Sequence, residues 1–309
     1  MRRKDSMLRV AAAIAAICLT IPAVFAGKPQ GDRPGGGKGK KSAGIPYVEG
    51  LMPLSDAAGI YGQAYGNVRP AFYDAQAPEV DGSSGVVGVV VVGASTANIF
   101  ARNFWEPRAG RSSEVVVVNC GFGGRLLDTW ADAGHRIWDS CRGQIENAGL
   151  DPDSEAQVVI LKTGASGCTT ISCEQGMFES TFDAIDTNLP GTRQIFLIDE
   201  GYQGWIAAAP GEPGGHGHGQ AIAATVESSI ASGTGDHWVS WAAYLWANGL
   251  GPDKRDGGMP GRTDGLEWRK SDFKDDGLHQ SDAGASKEAE LVHLALIADP
   301  VACVWYCAP

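Results

Sequence analysis

Val86-Val87-Gly88-Val89-Val90-Val91-Val92-Gly93-Ala94-Ser95-Thr96 is the stretch on which the reading of the fold turns. A run of β-branched residues without polar alternation is a strand buried on both faces, as in a parallel sheet covered by helices. It stops at a glycine and passes at once into the helix-compatible stretch Thr96–Phe104. Ser95 therefore stands at a strand end that opens a helix, a place where nucleophiles are displayed. Further apolar runs follow at Val115–Val118, Val158–Leu161, Gln194–Ile198 and His237–Trp241. Helix-compatible stretches lie between and after them at Leu126–Ala148 (with a break near Gly134), Phe178–Asn188 and Gln220–Ile230. The alternation implies right-handed βαβ crossovers. The expected fold is α/β, a three-layer α/β/α sandwich around a five-stranded parallel sheet. In such sheets reactive groups gather at the carboxyl ends of the strands. Gly93-Ala94-Ser95, Gly121-Phe122-Gly123-Gly124 and Thr163-Gly164-Ala165-Ser166 should then share one edge.

Near the other end the chain reads Asp276-Gly277-Leu278-His279, followed by the amphipathic run Ala285–Ile297. An aspartate and a histidine three residues apart fit within one turn, the carboxylate holding the imidazole. With Ser95 they supply the parts of a hydrolytic triad in the order Ser…Asp…His. Each part has a plainer alternative. Ser95 would serve as a helix N-cap, Asp276 as a cap for the last helix, and Gly121–Gly124 as a tight turn.

These blocks resemble those of the SGNH (GDSL-like) hydrolases, which have a flavodoxin-like fold. Gly93-Ala94-Ser95 matches the family's Gly-x-Ser, Gly124 its oxyanion glycine, and Asp276 with His279 its Asp-x-x-His. Asn119 to Trp130 and Trp241 to His279, with Tyr244-Leu245-Trp246 and Asp264-Gly265-Leu266-Glu267-Trp268, resemble a secreted bacterial subgroup. The resemblance runs from about residue 85 to about residue 298. It implies cleavage of a carboxylic ester through an acyl-enzyme, with Ser95 as nucleophile, His279 as base and Asp276 as its partner. The backbone N–H groups of Ser95 and Gly124 would bind the oxyanion, and no metal or organic cofactor is required. One block departs: the family's Gly-x-Asn is Gly164-Ala165-Ser166 here. Loss of one oxyanion donor costs ~10²–10³ in rate, so Ser166, or else Lys162 or Thr163, would have to substitute. Ala94 also stands where an aspartate is usual, and Gln280 where a proline is common. The alternative is a catalytically weak or silent descendant that binds glycan or envelope material.

Arg2, Arg3, Lys4 and Arg9 precede an apolar stretch ending in Val24-Phe25-Ala26. That pattern is a signal peptide over residues 1–26. Thr20 and Pro22 interrupt the stretch, which is shorter than the ~20 residues of a membrane span. No later segment is long enough to cross a membrane, so none remains after signal cleavage. Residues 27–43, rich in glycine and lysine, read as a flexible linker, and residues 44–309 as a single domain. The net charge is −11, and the leader contributes four basic residues and one acidic, so the mature chain is more acidic still. That balance argues against nucleic acid as a partner.

Cys18 lies in the leader, and six cysteines remain: Cys120, Cys141, Cys168, Cys173, Cys303 and Cys307. An even number in a secreted or periplasmic chain reads as disulfides. Local pairing of 168 with 173 and of 303 with 307 leaves 120 with 141, the preferred connectivity. No CxxC spacing supports a metal site. His216-Gly217-His218 lacks a third ligand and reads as a substrate-side loop or a linker. Asp272, Asp275 and Asp276 lack the spacing of a calcium loop. Of the nine tryptophans, Trp238, Trp241 and Trp246 are expected in the core. Trp105 and Trp130, close in sequence to the proposed site, are the candidates for lining a sugar or acyl pocket. A carboxylic ester, of an acetylated carbohydrate or a short acyl chain, is the expected substrate.

Overall fold

A computed structural model describes residues 69–164, 167–168, 170–201, 213–233, 238–245 and 268–308. The expected signal peptide and linker lie outside the described residues, as do Ser166, Trp205, Trp246 and Asp264 to Glu267. In chain order the elements are α1 (Ala71–Asp74), β1 (Val87–Gly93), α2 (Ser95–Phe104), β2 (Val115–Gly121), α3 (Leu127–Trp130) and α4 (Ile137–Asn147). They continue with β3 (Ala156–Lys162), α5 (Ile171–Asn188), β4 (Gln194–Ile198), α6 (Pro213–Ser232), β5 (Trp238–Ala243), α7 (Asp282–Ala298) and α8 (Cys303–Tyr306).

The five strands form one sheet in the order β2-β1-β3-β4-β5, and every pairing is parallel. The order reverses between β1 and β3. Such a switch point opens a crevice at the carboxyl ends of the strands, where ligands bind. Every residue of β1 and of β3 is buried, which is why Val89–Val92 and Val158–Leu161 are apolar without alternation. Val89, Val91 and Ile160 face a core shared with α2, α7 and α8. Val90, Val92 and Leu161 face a second core built by α4, α5 and α6. Two cores on one sheet make the three layers.

The sheet margins are closed differently. β2 leaves Val116, Val117 and Asn119 partly exposed, and the Cys120–Cys141 disulfide ties it to α4. At the β5 margin the Tyr73 phenol donates to the Val239 carbonyl at 2.9 Å and accepts from its N–H at 2.9 Å. One side chain thus takes the place of a sixth strand. Arg69 joins this seal: its guanidinium bonds Asp299 at 2.7 and 2.9 Å, Asp74 at 2.6 Å and Ser240 Oγ at 2.6 Å. The remaining disulfides link Cys168 to Cys173 and Cys303 to Cys307, so all three pairs are those expected. Among the described residues no helix is long and apolar enough to cross a membrane.

The stretch Leu126–Ala148 is two helices, α3 and α4, with the expected break around Gly134. Two other helices differ from expectation. α5 begins at Ile171, where Thr170 caps it by accepting from Cys173 N. α6 begins at Pro213, so the Gly-rich segment around His218 is helical and not a loop. Close packing of α6 on α5 and β5 outweighs the poor helix propensity of its glycines.

Candidate active site

Ser95 owes its position to two glycines. Gly93 ends β1 with φ +151°, and a Cβ there would fall on the Lys162 carbonyl oxygen of β3. Gly121 ends β2 in register with Gly93, and a Cβ there would strike the Asn98 backbone of α2. Only glycine allows the strand ends and the helix to approach this closely. Ala94, extended, is the N-cap of α2, so Ser95 is its first helical residue and not its cap. At that position its hydroxyl projects from the amino end of the helix, where unpaired N–H groups favour negative charge.

Asp276 and His279 lie in a loop closed by an antiparallel bridge between Phe273 and Gln280 and by a 2.7 Å bond from Lys274 N to the His279 carbonyl. Gly277, at φ +70°, lets the chain reverse inside it. Asp276 Oδ1 accepts from the N–H groups of Leu278 at 3.0 Å and His279 at 2.9 Å. Its Oδ2 stands 2.6 Å from His279 Nδ1. The N-cap of α7 is Ser281, whose side chain accepts from Gly284 N, so Asp276 is not spent on capping. His279 Nε2 lies 2.7 Å from Ser95 Oγ. With Nδ1–H donated to Asp276, Nε2 presents its lone pair to the serine hydroxyl. Partial burial pushes the Asp276 carboxyl up, but the hydrogen bonds from the His279 ring, the His279 N–H and the Leu278 N–H outweigh it and bring it down to about 2. The carboxylate is therefore ionised throughout the neutral range. The three residues expected to form a triad are in one relay.

The second and third strand-end loops meet beside it. Phe122 N donates to the Gly93 carbonyl at 2.9 Å, and Leu127 N to the Gly164 carbonyl at 3.1 Å. Gly124 lies between them at φ +71°, with no atom near its missing Cβ. Of the candidates for the third donor, Ser166 is outside the described residues. Lys162 is wholly buried, its ammonium turned to the Asp199 carbonyl and Glu200. Thr163 is also buried, its hydroxyl on the Gly164 carbonyl.

Two expected pocket residues are elsewhere. Trp105 follows the last turn of α2, ~15 Å along the helix from Ser95 at 1.5 Å per residue. It is exposed to solvent, its indole on Glu106. Trp130 is fully buried, edge-on to Trp138 and tilted against Phe122, its indole N–H on the Arg125 carbonyl. It supports the Gly121–Gly124 loop from below and offers no face to a ligand. His218 pairs with Glu174 at 2.6 Å in the core. Among the described residues no three potential ligands cluster as a metal would need.

What the sequence left unmarked is a buried polar cluster next to the relay. Thr96 Oγ1 donates to Glu200 Oε1 at 2.8 Å, and Lys162 Nζ stands 3.2 Å from Glu200 Oε2 and 3.5 Å from Glu288 Oε2. Gln280 Nε2 donates to Glu288 Oε1 at 2.8 Å. A lysine directly after the apolar run Val158–Leu161 is the one local signal of it.

No protein-family profile matches the chain, and no curated protein matches it. Solved structures do. A protein described as an acylhydrolase from Bacteroides fragilis is 13% identical, with 74% of this chain and 93% of that one covered and a TM-score of 0.40. A protein described as an SGNH hydrolase from Slackia heliotrinireducens is 16% identical, with 67% and 97% covered and a TM-score of 0.37. The chain is likewise similar to a GDSL-like lipase from Bacteroides thetaiotaomicron, at 12% identity with 73% and 94% covered and a TM-score of 0.41.

Proposed function

We propose that this protein is an exported serine hydrolase of the SGNH type that cleaves carboxylic esters, either acetylated carbohydrate or a short acyl ester. The observation that carries the reading is the relay from Asp276 through His279 to Ser95, with links of 2.6 and 2.7 Å. The two ends of the last link are 184 residues apart in sequence and arrive from different elements, the start of α2 and the loop entering α7. A serine that merely started a helix would have no need of an imidazole so placed.

In the first step His279 Nε2 takes the Ser95 proton as Oγ attacks the ester carbonyl carbon. Asp276 holds the ring in the needed tautomer and stabilises the imidazolium. The oxyanion is bound by the N–H groups of Ser95 and Gly124 and by the field of the α2 amino end, with Ser166 as a third donor. His279 then gives its proton to the departing alcohol. Water, activated by the same imidazole, releases the acid and restores Ser95. The His279 side chain is 28% exposed and that of Asp276 49%, so ester can reach the relay from solvent. Export, by cleavage of the leader at residue 26, is supported by three disulfides, which persist in oxidising compartments.

Hydrolysis of p-nitrophenyl acetate by the mature protein tests the reading. Ser95→Ala and His279→Ala should each lose about 10⁴-fold or more in kcat at unchanged fold. Full activity in Ser95→Ala would overturn the assignment. An inert wild type, on this substrate and on acetylated xylan, would leave a binding protein.

A further inference from the structure

The neighbours of the two reacting residues are joined to each other through the core. Thr96 follows Ser95, and its hydroxyl holds Glu200. Glu200 meets Lys162, and Lys162 meets Glu288. Glu288 is held by Gln280, which follows His279. With the 2.7 Å approach of His279 to Ser95, these contacts close a ring that passes once through the site and once beneath it. Four segments contribute: the start of α2, the end of β3, the residues after β4, and the loop entering α7 with α7 itself.

Such a ring is a costly way to gain stability. Lys162 and Glu288 have no exposed surface at all, and removing charges from water costs several kcal/mol per ion, which pairing only partly returns. Apolar side chains of equal volume would serve the core as well. What apolar packing cannot supply is a directional bond on each side of the reacting pair. We propose that Lys162, Glu200 and Glu288 are positioning residues that set the approach of Ser95 to His279, acting through Thr96 and Gln280. Their effect on rate rests on the serine-hydrolase reading; their effect on the geometry of His279 does not.

The ring also carries a proton. Burial drives the Glu288 carboxyl up, the Lys162 ammonium draws it down, the Glu200 carboxylate pushes it up again, and it comes to about 7. The charged groups facing it are Lys162 from β3 and Glu200 from beyond β4, with the Gln280 amide from its own loop. Asp199 and, on α6, His218 lie one step further, in electrostatic contact with Lys162 and Glu200. Glu288 therefore changes charge in the neutral range, one hydrogen bond from the residue after His279.

Two nearly isosteric variants, Thr96→Val and Glu288→Gln, open the ring at opposite ends without emptying the core. On the ester that wild type hydrolyses, each should lower kcat about 10- to 100-fold with KM within about twofold, the signature of misplaced reacting groups. The double variant should lose far less than the product of the two, since a ring opened once is already open. In Glu288→Gln the kcat profile should also show one ionisation fewer than in wild type, the one near pH 7 that belongs to Glu288. Wild-type kcat in both single variants would overturn the proposal. If wild type hydrolyses no ester, the proposal is read from the His279 ring resonances in NMR. These should follow two ionisations in wild type and one in Glu288→Gln. Identical titrations in the two proteins would overturn it without reference to activity.

Discussion

At the scale of single residues, Gly93 binds the fold to the chemistry. Its φ of +151° and the Lys162 carbonyl oxygen, which stands where a Cβ would go, leave no room for a methyl group, and the next residue but one is Ser95. Gly93→Ala should therefore cost about 2–4 kcal/mol and lower Tm by roughly 4–12 °C, with a loss of the proposed esterase activity. Gly123, two residues beyond Gly121, has nothing near its α-carbon and an ordinary φ, so Gly123→Ala should leave Tm within about 2 °C. Thermal unfolding of the pair checks the contrast; equal melting points would show that the β1–β3 contact yields. That Ser95, Asp276 and His279 come together is legible in the sequence because each sits in a short-range context, a strand end or a four-residue turn. Trp105 and Trp130 were misplaced because nearness in sequence says nothing of direction along a helix: α2 carries Trp105 away from its own first residue. The partners of Lys162 were not legible at all, since Glu200 and Glu288 belong to elements far along the chain.

At the scale of elements, the sheet was readable where burial on both faces demanded continuous Val and Ile, and the five strands fall where those runs fall. Its margins were not. The seal on β5 comes from Tyr73 in a four-residue helix, which has no periodicity to betray it. Tyr73→Phe would keep the ring, stacked at 5.8 Å from Trp238, but leave the Val239 N–H and carbonyl without their partner. A buried polar group left unpaired costs about 1–3 kcal/mol, so this single oxygen should be worth that much in denaturant unfolding. The Val239 amide should also exchange markedly faster, because the strand margin is then open. Unchanged exchange at Val239 would mean that another group replaces the phenol. The start of α6 escaped the sequence for a different reason: Gly214, Gly215, Gly217 and Gly219 argue for a loop, and the buried Glu174–His218 pair is visible only once α5 and α6 are packed.

At the scale of the whole molecule, two ionisable groups, the half-exposed Asp276 and the buried Glu288, make stability depend on pH in opposite senses. Asp276 falls from 3.8 to about 2 in the folded chain, so its contribution is present above pH 3.8 and is lost as the pH falls through about 2. Glu288 moves the other way, from 4.5 to about 7. Below pH 4.5 it is protonated in both states and neutral in its buried place. Between pH 4.5 and 7 the unfolded chain has released this proton while the folded chain keeps it. The folded state then binds more protons, and stability declines as the pH rises across that window. The full decline is on the order of 3 kcal/mol, at about 1.4 kcal/mol per pH unit of separation. Glu288→Gln removes the ionisation while retaining an oxygen for the Gln280 amide. Its stability relative to wild type should therefore rise steadily from pH 4.5 to 7 and stay level above, the two unfolding curves running parallel below pH 4.5. Urea titrations at unit pH intervals measure this directly. A difference between the two proteins that did not change with pH would mean that Glu288 is already ionised throughout, its charge fully balanced by Lys162.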